Sequence, residues 1–275
     1  MKIRSLSTTA AKVILSLEAE GAELVTLDSI RDRANVSSGF ARKLAHDLVK
    51  SGWLQRVRRG TYLLNPSRHG PDALPDTDPL RFGSHLVEPY YFGFATAAEL
   101  EGLLPQASRV HSIVTTARRV PGSRIGTWFR FVRVPPTQFF GIRTIRIRGI
   151  QIRVSDPERT LTDCLKRPEL CGGMAGVAQI LSLAKPTLNW DRLGSYLDRL
   201  DCRSLTLRAG YLSERVRPSL LPPKAWVQTR LPEVSEPYVP LGPPKAHGRR
   251  GPRDPRWHII QNVPESVLFA EGEIV

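Results

Sequence analysis

Residues 37–65, "SSGFARKLAHDLVKSGWLQRVRRGTYLLN", combine an amphipathic helical pattern with two short alternating runs. Serines stand at the start, where their side chains can cap a helix, and Phe40, Leu44 and Leu48 recur at helical spacing as a candidate buried stripe. The runs "WLQRV" and "TYLLN" alternate apolar and polar residues on either side of Arg58-Arg59-Gly60. The stretch therefore predicts a helix followed by a basic β-hairpin.

Two further helices are predicted upstream of this stretch. The first covers Ser7–Glu20 and the second follows Thr26, whose hydroxyl can cap it. The residues predicted to face the core are Ala11, Ile14, Leu15 and Leu17 in the first helix and Leu27, Ile30 and Ala34 in the second. The order of helix, helix, tight turn, helix and basic hairpin predicts a winged helix-turn-helix domain in residues 1–66.

The polar faces of the last helix and of the hairpin are candidates for DNA contact. The candidate residues are Ser38, Arg42, Lys43, His46 and Lys50 on the helix and Arg56, Arg58 and Arg59 in the hairpin. Any amphipathic helix also needs a solvated polar face, and a winged helix can instead bind protein. We favour DNA because the order of elements is much more specific than one basic helix.

Composition narrows the classes of partner and of site. The 275 residues carry 40 Lys and Arg against 26 Asp and Glu, a net charge of +14 that favours a polyanionic partner such as nucleic acid. The three cysteines, Cys164, Cys171 and Cys202, match no zinc pattern and are expected to be buried reduced thiols. No metal, cofactor or catalytic residue is predicted. Lys12 and Glu18 interrupt the first apolar run, so we expect a cytoplasmic protein with no membrane association.

The remainder predicts a second domain of mixed sheet and helices. Residues 67–83, rich in Pro, Gly and Asp, are the expected linker, and residues 84–275 the second domain. The runs "SRVHSIVTT", "GTWFRFVRVP" and "IRTIRIRGIQIRV" predict strands, and Thr96 with Glu99 suggests the cap of a short helix. The overall fold class is therefore α/β in the broad sense, more closely α+β.

Arginine is concentrated in these strands. Residues 109–153 contain ten arginines and no Asp or Glu. In "IRTIRIRGIQIRV" (142–154) the apolar residues change parity at Gly149, which predicts a tight hairpin or bulge. The candidate basic surface consists of Arg118, Arg119, Arg143, Arg146, Arg148 and Arg153. Such charges can discourage edge-strand aggregation, but their single sign favours a role in binding DNA phosphates, RNA or an acidic protein.

Helices and a proline-rich tail complete the prediction. In "VSDPERTLTDCLKRPELCGG" (154–173), Ser155 and Glu158 fit a capping box, and the three acids Asp156, Glu158 and Asp163 are expected as caps and surface charges. Further helices should bury Leu181, Leu183, Leu193, Tyr196, Leu197 and Leu200. Residues 217–275 are expected as an extended tail that packs back, with "WVQTRL" and "RWHIIQNV" as strands.

These features together resemble the AbiEi-type antitoxins of bacterial type IV toxin–antitoxin systems, which act in abortive phage infection. The resemblance rests on the winged helix, "YYFGFATAAELEGL", the strand pair, "SDPERTLTDCL" and the terminal "RWHIIQNVP", and it spans nearly the whole chain. It implies a repressor that binds inverted repeats in its own promoter. It also implies an antitoxin that counteracts a nucleotidyltransferase-like toxin, with or without touching it.

Two other classes of function remain to be weighed. An enzyme is disfavoured because the sequence has no Walker loop, G-x-S-x-G, metal-ligand cluster or paired aspartates after Gly83-Ser84. A stand-alone winged-helix regulator whose second domain senses a ligand or a protein is the alternative. A neighbouring nucleotidyltransferase gene would favour the antitoxin.

Overall fold

The computed structural model describes residues 5–70, 78–104, 109–120, 128–216 and 221–269, apart from the side chains of Arg58 and His69. The chain divides between Val87 and Glu88 into two compact units, each with its own hydrophobic core. The predicted linker, 67–83, contains a 3-10 turn at Ser67–His69 and the start of helix α4 (Pro79–Ser84), while 71–77 lie outside the described residues. The two units are described separately.

The first unit is a winged helix-turn-helix. Its elements are α1 (Thr8–Ala19), β1 (Leu24–Thr26), α2 (Leu27–Ala34), α3 (Ser38–Lys50), β2 (Leu54–Arg58) and β3 (Thr61–Leu64). The predicted caps hold, because Ser7, Thr26 and Ser37 each accept a backbone N–H at the start of a helix. Strand β1, which the sequence analysis missed, pairs with β3 and completes a sheet in the order β1-β3-β2.

Two expected core residues of this unit are wrong. Leu15 is 60% exposed, since Ala10, Val13, Ile14 and Leu17 form the buried face of α1. Phe40 is 47% exposed, because the buried face of α3 consists of Ala41, Leu44, Ala45 and Leu48. Because the buried face of α3 is centred on the side that includes Ala41 and Ala45, Phe40 lies at the edge of that face and is partly exposed.

The second unit is built on a five-stranded sheet in the order β6-β5-β4-β8-β7. Its strands are β4 (Tyr90–Phe92), β5 (His111–Thr115), β6 (Phe129–Arg133), β7 (Ile142–Ile147) and β8 (Ile150–Ser155). The predicted hairpin is confirmed: β7 and β8 are antiparallel, and Arg148 and Gly149 both adopt positive φ in the turn. The shift of the apolar positions at Gly149 in the sequence therefore marks a tight turn between two strands.

Helices pack against this sheet. They are α5 (Phe94–Leu100), α6 (Pro157–Lys166), α7 (Gly173–Ala184), α8 (Trp190–Leu200), α9 (Arg203–Arg215) and α10 (Lys224–Gln228). Helix α5 begins at Phe94 with Gly93 as its N-cap, so the predicted cap at Thr96 is wrong. The buried Thr96 hydroxyl accepts the backbone N–H of Ser112 and so joins α5 to β5. Of the predicted core leucines, Leu183 is exposed. Cys164 and Cys171, expected as free thiols, form a buried disulfide between α6 and the turn that follows it, and Cys202 is only partly buried.

The proline-rich tail packs back onto this unit, as predicted. It contains β9 (Val239–Pro240), α11 (Pro244–His247), β10 (Arg253–Asp254), β11 (Ile259–Ile260) and α12 (Glu265–Leu268), and Trp257 and Leu268 are buried in the core. The short strands form a small sheet, and β11 confirms the strand expected in "RWHIIQNV". The strand expected in "WVQTRL" is wrong, because α10 begins directly after Pro223 and buries the adjacent residues Trp226 and Val227.

Candidate functional site

The outer face of α3 and the wing formed by β2 and β3 lie side by side in the first unit. Ser38, Arg42, Lys43, His46 and Lys50 are exposed on α3, and Arg56 and Arg59 are exposed on the wing. The side chain of Arg58 lies outside the described part of the structure. Gly60, with a φ of +75°, closes the turn beside Leu27, so the wing tip is held against the start of α2.

Two grooves separate α3 from the wing, and both are basic. The larger, of about 400 Å³, is bordered by Ser38 and Arg42 on α3, by Arg59 and Gly60 on the wing, and by the ion pair of Asp28 and Arg31 on α2. The second, of about 270 Å³, is bordered by Arg42 and His46 opposite Arg56 and Arg59. Arg42 and Arg59 border both grooves. The fold therefore gathers cations that are up to seventeen positions apart in the sequence along one continuous surface.

The cations of this surface differ in their pairing from those of the neighbouring helix. On α2, Arg31 forms ion pairs with Asp28 and Asp32, each at 2.9 Å, and Arg33 pairs with Glu20. In the described residues, no carboxylate pairs with Arg42, Lys43, Lys50, Arg56 or Arg59, and His46 lies 3.5 Å from Asp47. The described carboxylates of the unit thus neutralise the arginines of α2 but not the cations of α3 and the wing.

The arginine-rich strand pair of the second unit is less uniform than its sequence indicates. The register places Arg146 opposite Gln151 and Arg153 opposite Thr144, so Arg146 and Arg153 share one face of the hairpin, while Arg143 points to the other. Arg143 makes a bidentate ion pair with Glu101, and Arg153 contacts both carboxylate oxygens of Glu88.

These two ion pairs correct the expectation of an unbalanced arginine row. The acidic partners come from the ends of other elements, 42 and 65 positions earlier in the chain. Arg153 also lies over the ring of Tyr90, 4.6 Å from its centroid. Arg118, Arg119 and Arg146 are exposed, and none of them pairs with a carboxylate among the described residues. Two of the six arginines of the candidate basic surface, Arg143 and Arg153, are therefore ion-paired within the unit, and the role of the surface stays a prediction.

The segment "SDPERTLTDC" builds a buried polar network at the start of α6. The side chain of Arg159 is 1% exposed, and its Nη2 donates to Asp163 at 2.9 Å and to the hydroxyl of Tyr91 at 3.1 Å. That hydroxyl donates in turn to the other oxygen of Asp163 at 3.1 Å. The guanidinium also lies over the ring of Phe140, 4.4 Å from its centroid. The expectation that Asp163 is a surface charge is wrong.

Asp156 and Glu158 are buried as well, and both connect α6 to α8. Asp156, not Ser155, caps α6 by accepting the N–H of Arg159, and it accepts the hydroxyl of Tyr196 at 2.7 Å. Glu158 makes no capping box, since its carboxylate accepts the backbone N–H of Asn189 and lies 3.4 Å from Arg192. These acids belong to the framework of the unit.

Burial perturbs the hydroxyl groups of this network. Burial raises the pKa of Tyr91 well above its ordinary value, and the neighbouring charge of Asp163 adds to the effect, so the hydroxyl keeps the proton it donates. Burial and the hydrogen bond to Asp156 likewise raise the pKa of Tyr196 to about 12. The carboxyl of Asp163 has its own pKa raised by burial, which Arg159 opposes. The network therefore ties α6 to β4 through Tyr91 and to α8 through Tyr196.

Comparison with known proteins identifies the family. Residues 12–65 match the family described as transcriptional regulator, AbiEi antitoxin, and residues 91–215 match the AbiEi antitoxin C-terminal domain. The chain belongs to the AbiEi antitoxins. Transcription regulation and antitoxin activity are the roles of these families. In this AbiEi chain the first match covers the winged helix with its candidate DNA surface, and the second covers the sheet and the buried network.

Comparison with solved structures agrees with the fold. The crystal structure of the RV2827C protein from Mycobacterium tuberculosis superimposes with a TM-score of 0.70 over 97% of this AbiEi chain and 96% of that one, at 20% identity. No curated protein gives a significant match. Within the described ranges, no group of three or more His, Cys, Asp or Glu side chains could hold a metal ion. No helix in the described parts is long and apolar enough to cross a membrane.

Proposed function

We propose that this AbiEi chain represses its own operon by binding inverted repeats in its promoter. We further propose that it counteracts a cognate nucleotidyltransferase-like toxin in the cytoplasm without having to contact it. The observation that carries the first part is the contrast in ion pairing between α2 and the α3–wing surface. Because no carboxylate of the unit neutralises them, the cations of the α3–wing surface keep their charge for contact with phosphates.

The sheet of the second unit supplies a second candidate surface in this proposal. Arg118, Arg119 and Arg146 are exposed for contact with DNA phosphates or with an RNA or toxin surface. Arg148 lies at the hairpin turn, where it and Gly149 adopt positive φ and are exposed. Arg143 and Arg153 serve the sheet instead, because their guanidinium groups are held by Glu101 and Glu88.

Two assays on the full-length chain test the proposal. A mobility-shift titration on the DNA upstream of its gene should show much tighter binding than on random DNA of equal length. Arg42→Ala and Lys43→Ala should each weaken that binding and reduce the slope of log affinity against log salt by about 0.9. A growth assay with the toxin gene co-expressed should show protection by the wild type and by both variants.

Each result bears on one part of the proposal. Unchanged operator affinity in both variants would remove α3 as the recognition helix. Specific DNA binding without protection from the toxin would point to a stand-alone regulator, the alternative function. Protection with no specific DNA binding would leave an antitoxin that does not regulate its own operon.

A further inference from the structure

Two adjacent residues of α3, Gly39 and Phe40, lie on its exposed side. Phe40 is a large apolar side chain left 47% exposed. Gly39 precedes it inside the helix, where alanine is the more favourable residue. A Cβ added at Gly39 would meet nothing closer than the Ser37 hydroxyl at 4.0 Å, and its φ does not require glycine. Neither the exposed ring nor the missing side chain is explained by folding.

A cation neighbours this apolar spot. Lys43 lies one helical turn from Phe40 and pairs with no carboxylate within the described residues, whereas Arg42, two positions away, points to another side of the helix. The acidic residue of α3, Asp47, lies two turns further along, beside His46. An exposed apolar ring beside an unpaired cation, on a helix whose other faces carry further unpaired cations, suits the major groove of DNA, which offers phosphates at its rim and one apolar group, the thymine methyl, on its floor.

We propose that Phe40 determines sequence specificity by packing against the 5-methyl group of a thymine, and that Gly39 lets the backbone of α3 come close enough for this contact. The inference rests on the proposed function, in which α3 is the recognition helix. It goes further by assigning a base and an atom to one side chain. Arg42 and Lys43 would then supply affinity through phosphates, and Phe40 would supply discrimination through a methyl group.

The test compares thymine with deoxyuridine, which keeps the hydrogen-bonding pattern of thymine and lacks only the methyl group. Duplexes are first selected from a random-sequence library with the full-length chain. Affinity is then measured on a selected duplex and on the same duplex with every thymine replaced by deoxyuridine. We expect the replacement to weaken wild-type binding about fourfold for each methyl that is contacted.

Variants separate the ring from the rest of the surface. Phe40→Ala should bind the thymine duplex more weakly than the wild type, should be indifferent to deoxyuridine, and should keep the wild-type salt slope because no charge is lost. Phe40→Leu, which keeps an apolar side chain, should retain part of the methyl preference. Leu15→Ala is the matched control, because Leu15 is an exposed apolar residue of the same unit that lies on α1. Thermal melts confirm that each variant is folded.

The outcomes distinguish this inference from the proposed function. Equal wild-type affinity for both duplexes would overturn the assignment of Phe40, as would an undiminished thymine preference in Phe40→Ala. A chain that selects thymine-dependent duplexes but ignores its own upstream DNA would sustain the role of Phe40 and contradict autoregulation. A chain that selects no duplex would contradict both.

Discussion

Removing Asp163 should destabilise the second unit more than any surface substitution, and the structure indicates by how much. The carboxylate is 4% exposed and is the only acidic partner of the Arg159 guanidinium among the described residues. In Asp163→Leu that guanidinium stays buried without a counter-charge, which costs about 3–5 kcal/mol of unfolding free energy. Arg159→Met should cost a similar amount, because it leaves the carboxylate buried with only the Tyr91 hydroxyl.

The double variant is the informative one. If both charges are removed together, neither is left unpaired, and the remaining loss is that of the Tyr91 hydroxyl without partners, about 1–3 kcal/mol. Tyr91→Phe, which keeps the ring and deletes that hydroxyl, should cost about 2 kcal/mol. Its matched control is Tyr90→Phe, since the Tyr90 hydroxyl accepts a long 3.5 Å bond from the Arg153 backbone and lies outside the Arg159–Asp163 network. That change should cost less than about 1 kcal/mol.

Urea unfolding followed by tryptophan fluorescence measures these losses. Trp190, Trp226 and Trp257 all belong to the second unit, and Trp257 is buried in its core. The coupling within the network would be refuted if the double variant lost as much as the sum of the two single variants. Equal stability of Tyr91→Phe and Tyr90→Phe would refute the role of the Tyr91 hydroxyl.

Two further predictions concern the tail and the sheet surface. Glu214 is partly buried, which raises its pKa, but hydrogen bonds from Arg256 and Trp257 outweigh burial and leave the pKa below its ordinary value of 4.5. The ionised Glu214 therefore stabilises the fold above pH 4.5, and this contribution is lost as the pH falls through its folded-state pKa. In urea titrations, Glu214→Gln should be less stable than the wild type at pH 6, and its stability should decline less below pH 4.5. Parallel curves of stability against pH for the two proteins would contradict this. Arg146→Ala should reduce the slope of log affinity for upstream DNA against log salt, whereas Arg153→Ala should not, because Arg153 is held by Glu88. Equal slopes for the two variants would remove Arg146 from the DNA surface.

The winged helix could be predicted from the sequence because its signals are local. Caps at Ser7, Thr26 and Ser37 lie within three residues of the N–H groups they accept, and the wing turn is marked by Gly60. Strand β1 could not be predicted in this way. It has three residues, too few for a period, and it exists because it pairs with β3, more than thirty positions away.

The exposed position of Phe40 and the buried acids of α6 mark a different limit. Helical spacing gives the period of a buried face but does not fix where the face ends. Both Phe40 and Ala41 fit the period, and the packing of the folded unit buries Ala41 and leaves Phe40 exposed. A carboxylate in a helical pattern is expected to be exposed to solvent unless a buried partner is known. The partner hydroxyl of Asp163 belongs to Tyr91, 72 positions earlier in the chain, so the sequence pattern does not reveal it. An i,i+4 pair with Arg159 was visible in the sequence, yet such pairs are usually exposed.

The same limit applies to charge, and there it changes the functional argument. The sequence supplies a sum of charges, but only the fold shows which of them are neutralised within the molecule. Glu88 and Glu101 remove Arg153 and Arg143 from the set available to a polyanion, and Asp28, Asp32 and Glu20 remove the arginines of α2. Among the cations that remain in the first unit, Arg42, Arg56 and Arg59 border the grooves between α3 and the wing. The case for nucleic-acid binding therefore rests on the unpaired cations of that surface and not on the net charge of +14.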